Sequence, residues 1–207
     1  EAFEARATNL MAQAPVDLEL AFVDLAGLSG SQQAMADPAA TEALLAGVLR
    51  AQSYQGEAPT AVGPDRYALV RDSQEPVEQL AARVSRILAN EGFEGVTAGA
   101  TAVSMSGVTK PKQVVRALRY ALTQVMQEGL TRALPENLSE ALDSAMRATM
   151  SKAGALGAAI RNRRFTLAYQ PVVSLHDGTL HHHEVLVRFG AESSPFPTIR
   201  MAEEMDL

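Results

Sequence analysis

The sequence predicts a mixed α/β (α+β) chain, in which helices pack on a central, mainly antiparallel sheet. Segments with apolar residues at helical spacing alternate with short, continuous apolar runs that are typical of strands. A Gly-Pro-Asp turn joins two of the predicted strands directly, which makes that pair an antiparallel hairpin. Of the 207 residues, 47% are hydrophobic, which is ample for a packed core.

The first part of the chain predicts the order βαββαβα after a short helix. The helix over residues 1–14 is expected to end at Pro15. Leu18–Asp24 is apolar enough for a strand that is buried on both faces. The elements that follow are a helix at Thr41–Ala51, a hairpin at Ala61–Val70, a helix at Pro76–Asn90, a strand at Gly95–Val103 and a helix at Pro111–Glu128. Gly129 is the expected cap of that last helix.

The second part predicts a long helix, a hairpin and a short helix. The Ala-rich run Leu138–Asn162 is helical in pattern, and strands at 165–174 and 180–189 are joined through a His-Asp-Gly turn. A final helix is expected near Thr198–Met205. We therefore expect four segments: a connector helix (1–15), a first domain (16–130), a linker helix (131–148) and a second segment (149–207).

Composition narrows the functional classes. A net charge of −6 argues against binding to a nucleic-acid backbone. No apolar run approaches the length of about 18 residues that spans a bilayer, so no membrane segment is predicted. The absence of cysteine excludes disulfides and thiolate metal sites, and it agrees with a cytoplasmic location. Because Glu1 already lies within a helical pattern, we expect the chain to be part of a longer protein.

The hairpin of the first domain has the sequence Gly63-Pro64-Asp65-Arg66-Tyr67. With the βαββαβα order, and with Asp24 at the end of the first strand, it resembles the GGDEF domain of diguanylate cyclases, which make cyclic di-GMP from two GTP molecules. In that family the hairpin carries a glycine pair and two acids, and Asp24 matches a further metal-binding aspartate.

Two departures from that motif change its chemistry. Pro64 removes a backbone donor and fixes φ, and Arg66 places a cation where the family has a metal ligand. The resemblance therefore implies a degenerate GGDEF domain without cyclase activity, which serves a structural or regulatory role. Retained GTP binding as an allosteric input is the alternative.

A polar pattern marks the two strands of the second segment. Glu184, Leu186 and Arg188 alternate along one strand and therefore share a face. Burying an acid and a base on one face is costly unless something binds there. Gln170 lies on the preceding strand. Taken alone, an acid and a base at i and i+4 are as readily explained by a surface ion pair.

The run Tyr169-Gln170-Pro171-Val172-Val173, followed by Glu-x-Leu-x-Arg, resembles the opening of the EAL domain, a family that binds and hydrolyses cyclic di-GMP. The resemblance implies that Glu184 is a ligand of Mg²⁺ or Mn²⁺. It also implies that Gln170, Leu186 and Arg188 contact cyclic di-GMP, with Leu186 under the dinucleotide and Arg188 on a phosphate. Val185 replaces the usual alanine.

Three consecutive histidines, His181, His182 and His183, precede this motif. In a regular strand only His181 and His183 share a face, and the sequence offers no third metal ligand beside them. A solvated strand is therefore favoured over a histidine metal site.

Together these resemblances imply a tandem GGDEF–EAL protein of cyclic di-GMP signalling. Its second domain is either a metal-dependent phosphodiesterase or a receptor that binds without cleaving. A dimerisation or scaffold module is a third interpretation. The resemblance also implies that the strands at 165–174 and 180–189 are the first two strands of an EAL-type (β/α)₈ barrel. Such a barrel needs at least about 200 residues, so we expect the truncated barrel of the chain as given to be inactive. Its exposed second-segment strands are expected to pack on the first domain, to pair with another copy in a homodimer, or to be disordered.

Overall fold

The computed structural model describes residues 2–14, 16–130, 133–189, 195, 196, 198 and 199. The helices are α1 (Ala2–Gln13), α2 (Gln32–Ala36), α3 (Pro38–Ala51), α4 (Val77–Asn90), α5 (Pro111–Glu128) and α6 (Leu138–Arg161), with a 3₁₀ turn at Tyr54–Gly56. The strands are β1 (Leu18–Ala26), β2 (Thr60–Gly63), β3 (Arg66–Asp72), β4 (Thr97–Ser104), β5 (Thr166–Val173) and β6 (Leu180–Arg188). The predicted fold class is confirmed, and the βαββαβα order is observed with one additional short helix, α2, after β1. Pro15 and most of the predicted helix at 198–205 lie outside the described residues.

The chain divides into two compact units, Glu1–Ala145 and Met146–Leu207, and the division falls within α6. The four-segment division that the sequence predicts stays a prediction. In the part of the chain that the structure describes, none of the helices combines the length and hydropathy needed to cross a bilayer.

The first unit is built on a four-stranded sheet of order β2-β3-β1-β4. Every neighbouring pair of strands is antiparallel. The central strand β1 buries side chains on both faces, as its apolar sequence predicts. Leu20 and Phe22 join a core with residues of α1 and α5, whereas Val23 and Leu25 join a second core with residues of α3 and α4.

Local signals explain where the helices of this unit begin and end. Asp37 caps α3 by accepting a hydrogen bond from Ala40 N at 2.9 Å, and Pro38 occupies the first turn. Gly129 follows α5 with φ +68°, which confirms the predicted cap. The sequence pattern missed α2, because a five-residue helix held by the Ser31 cap is too short to show a period.

The second unit contains the antiparallel hairpin β5–β6. Its turn is stabilised by Asp177, whose Oδ1 accepts hydrogen bonds from Thr179 N at 3.2 Å and Thr179 Oγ1 at 2.8 Å. Gly178 has φ +72°, a conformation that glycine adopts without strain. The pairing then slips by one residue, since Val173 faces Leu180 while Val172 faces His182. His181 is therefore the extra residue of a β-bulge.

Candidate functional site

The Gly63–Tyr67 hairpin places Arg66 directly beside Asp24. Arg66 on β3 lies between two neighbouring strands: it pairs with Gly63 on β2 and with Asp24 on β1. Arg66 Nε donates to Asp24 Oδ2 at 3.0 Å, and both side chains are about 30% exposed. The guanidinium therefore occupies the space beside Asp24, the aspartate that the resemblance to the GGDEF family matches to a metal ligand.

The acid of the hairpin turn itself, Asp65, is held elsewhere. It lies in the turn with φ +55° and directs its carboxylate to the loop after β1. There Oδ2 accepts from Ser29 N at 3.0 Å and Oδ1 accepts from Ser29 Oγ. Its carbonyl also accepts from Leu25 N at 2.8 Å. Asp65 thus fastens the turn to the end of β1 rather than adding a free carboxylate beside Asp24.

Two neighbours complete the surroundings of Arg66. Its Nη1 lies 3.5 Å from the carbonyl oxygen of Val125 at the end of α5. A side chain at Gly129 would place its Cβ 3.2 Å from Arg66 Nη2, so this glycine leaves room for the guanidinium. Burial is the main cause that raises the pKa of Tyr67, and the charges of Asp65 and Glu42 add to it. The sequence did not indicate that Ser29 binds Asp65 or that Gly129 leaves room for Arg66.

The second candidate site lies on the β5–β6 hairpin. Gln170 faces Glu184 directly across the strands, Ala168 faces Leu186, and Thr166 faces Arg188. Directly opposite residues project to the same side of an antiparallel pair. One face therefore carries all four residues that the sequence singled out. Their roles toward a ligand stay predictions.

The polar groups of this face are accessible. Gln170 and Glu184 are exposed, while Leu186 and Arg188 are half-buried. Arg188 Nη1 donates to the carbonyl of Val187 at 3.0 Å. Within the described ranges, neither Glu184 nor Arg188 takes part in a salt bridge. The simple surface ion pair that the sequence left open is not what the structure shows.

The histidines are arranged differently from the expectation. The bulge brings together His181 and His182, whose Nδ1 atoms lie 2.7 Å apart, while His183 faces Pro171 across the strands. The prediction that only His181 and His183 share a face assumed a regular strand and is wrong for that reason. Among the described residues, no group of three or more histidine, cysteine, aspartate or glutamate side chains is placed to hold a metal ion.

No protein-family model matches the chain, and no curated protein matches it. Among solved structures, the chain is similar to the S helix–GGDEF–EAL region of Vibrio cholerae LapD bound to c-di-GMP, at a TM-score of 0.36 and 11% identity over 99% of this chain and 51% of that chain. The apo form of the same region gives a TM-score of 0.32 and 11% identity, over 99% and 50%. The chain thus spans about half the length of these structures.

Proposed function

We propose that this chain belongs to a cyclic di-GMP signalling protein, in which a GGDEF-like domain without cyclase activity precedes an EAL-like domain that binds cyclic di-GMP. The observation that carries the proposal is the register of β5 and β6, which sets Gln170 opposite Glu184 and puts Leu186 and Arg188 on the same face. The two motifs of the sequence thereby become one surface, with an amide, a carboxylate, an apolar side chain and a guanidinium. A cytoplasmic location is part of this proposal.

The chemistry of this face suits a phosphodiester ligand. The guanidinium of Arg188 presents a planar fork that matches two phosphate oxygens. Leu186 offers an apolar contact to a base or ribose, and Gln170 supplies both a donor and an acceptor. The exposed carboxylate of Glu184 fits one ligand position of Mg²⁺ or Mn²⁺. When bound, such an ion supplies Lewis-acid polarisation of a phosphoryl oxygen and of water.

The first domain is proposed to lack cyclase activity because its acids are already engaged. Asp24 pairs with Arg66, and Asp65 binds Ser29. The residues present therefore do not fit a magnesium site, since a cation is already at the carboxylate and Pro64 cannot donate a backbone hydrogen bond to a phosphate. The domain is then a regulatory or structural partner of the second.

The test follows cyclic di-GMP in the full-length protein that carries this chain, with Mg²⁺ or Mn²⁺ present, and measures bound ligand and linear dinucleotide over time. Binding with linear product supports a phosphodiesterase, and binding without product supports a receptor. A parallel incubation with GTP is expected to yield no cyclic di-GMP. Absence of binding would contradict the proposal for the second domain, and cyclic di-GMP formed from GTP would contradict the proposal for the first.

A homodimer is the second candidate function, and the other face of the same hairpin favours it. This face exposes large apolar side chains: Leu167 (49%), Tyr169 (62%), Val173 (47%) and Val185 (58%). The pair β5–β6 also has two outer edges, which are templates for a further strand. We expect light scattering to show a mass that rises with concentration, and Tyr169→Lys to shift it toward the monomer. A monomer mass at every concentration would contradict this dimer.

A further inference from the structure

The bulge at the start of β6 creates a pair of imidazoles that a regular strand would not hold. His181 is the extra residue between two consecutive cross-strand partners, so its ring lies beside that of His182 rather than across the strand from it. The Nδ1 atoms are 2.7 Å apart, and the ring centroids are 5.0 Å apart at an interplanar angle of 78°. Two nitrogen donors from adjacent residues thus converge on one side of the strand.

The pair is accessible and otherwise uncommitted. Both residues are exposed, and in the described part of the chain neither ring makes another hydrogen bond or ion pair. At 2.7 Å the two nitrogens share one hydrogen, so one ring is the Nδ1–H tautomer and the other offers a lone pair. In the tautomer that carries its hydrogen on Nε2, an imidazole has a free lone pair on Nδ1 for a metal ion.

The imidazole donors narrow the choice of metal ion. With metal–nitrogen bonds of about 2.0–2.1 Å, two ligands at a right angle are about 2.9 Å apart, whereas two tetrahedral ligands are about 3.3 Å apart. Both separations exceed the 2.7 Å between the hydrogen-bonded nitrogens, so the two exposed rings would turn slightly apart around a bound ion. Tetragonal geometry with nitrogen ligands is typical of Cu²⁺ and Ni²⁺, and Cu²⁺ binds most tightly of the divalent first-row ions.

We propose that His181 and His182 form a bidentate site for a tetragonal divalent transition-metal ion, Cu²⁺ in preference to Ni²⁺ and Zn²⁺, with water in the remaining positions. His182 lies two residues from Glu184 on the same face of β6, but the two positions suit different ions, because imidazole suits copper and nickel, whereas Mg²⁺ and Mn²⁺ prefer oxygen ligands. His183 faces Pro171 and is not a ligand.

The three histidines provide their own control. Untagged protein is titrated with Cu²⁺, and the bound ion is examined by electron paramagnetic resonance, which counts coordinated nitrogens. We expect one equivalent of Cu²⁺ with two imidazole nitrogens, undisturbed by millimolar Mg²⁺. Because a chelate becomes a single ligand when one ring is removed, His181→Ala and His182→Ala should each weaken binding by at least about tenfold, and His183→Ala by less than about threefold.

Two results would overturn the site. Equal loss in all three alanine variants would show a histidine-rich strand that binds metal without the bulge geometry. A spectrum with one nitrogen or none, at one equivalent of Cu²⁺, would show that the two rings do not chelate. Because the three side chains are exposed, circular dichroism should be the same for every variant, and this control separates lost binding from lost folding.

Discussion

Each unit carries an acid and an arginine at its candidate site, but only in the first unit do the two charges contact each other. Asp24 and Arg66 lie directly opposite each other on neighbouring strands, and the guanidinium contacts the carboxylate at 3.0 Å. Glu184 and Arg188 lie four residues apart on one strand, about 13 Å at the usual rise per residue. The first pair neutralises itself, whereas the second leaves both groups available to a ligand. Register, rather than residue type, makes this difference.

The largest expected effect is on turnover at the available pair. If the full-length protein forms linear dinucleotide, Glu184→Ala is expected to lower that formation by more than about a hundredfold, because a metal ligand is lost, and to retain most of the affinity for cyclic di-GMP. Product formation and ligand binding are measured side by side. Val185→Ala, on the opposite face of the same strand, is the matched control and should leave both unchanged. Turnover that survives in Glu184→Ala would remove Glu184 from the metal site.

An intermediate effect is expected when the self-neutralised pair is broken. Arg66→Glu sets two carboxylates opposite each other and should lower the free energy of unfolding by roughly 1 kcal/mol. Arg66→Gln, which removes the attraction without adding repulsion, should cost only a few tenths of a kcal/mol, because the pair is partly exposed. Urea unfolding with Mg²⁺ or with a chelator measures both. If Mg²⁺ restored the full stability of Arg66→Glu, the hairpin would be a latent metal site, contrary to the account.

The smallest effect concerns a second acid–arginine pair on the same ladder. Glu19 faces Arg71 across the strands, and its Oε1 lies 3.4 Å from Arg71 Nε. Both side chains are almost fully buried. Burial raises the pKa of Glu19, Arg71 opposes this rise, and Asp72 and Glu78 add to it. Because the folded-state pKa lies above the unfolded value, the contribution of Glu19 to stability is fully present below about pH 4.5 and is lost as pH rises through the folded pKa.

Glu19→Gln removes this titration, so its stability relative to the natural chain should improve as pH rises above about 4.5. Urea unfolding from pH 4 to pH 8 measures the difference. A Gln variant that instead loses stability relative to the natural chain over that range would show that the attraction of Arg71 outweighs burial.

How far the sequence predicts this molecule depends on how local each signal is. The cap at Gly129, the Asp177 turn and the doubly buried β1 follow from short patterns, and the structure confirms them. The bulge at His181 did not follow, because the same alternating strand pattern fits either register. The engagement of Asp65 with Ser29 also could not be predicted, since it joins residues 36 positions apart through a positive-φ turn.

The central claim is that the second hairpin binds cyclic di-GMP and that the first does not. It is tested most directly by titrating cyclic di-GMP into the full-length protein and its Arg188→Ala and Arg66→Ala variants. The account predicts that Arg188→Ala weakens binding by about 1.5–3 kcal/mol, the range for a hydrogen bond to a charged group. Arg66→Ala should bind as tightly as the natural protein. Equal affinity of Arg188→Ala and the natural protein, or a loss confined to Arg66→Ala, would contradict it.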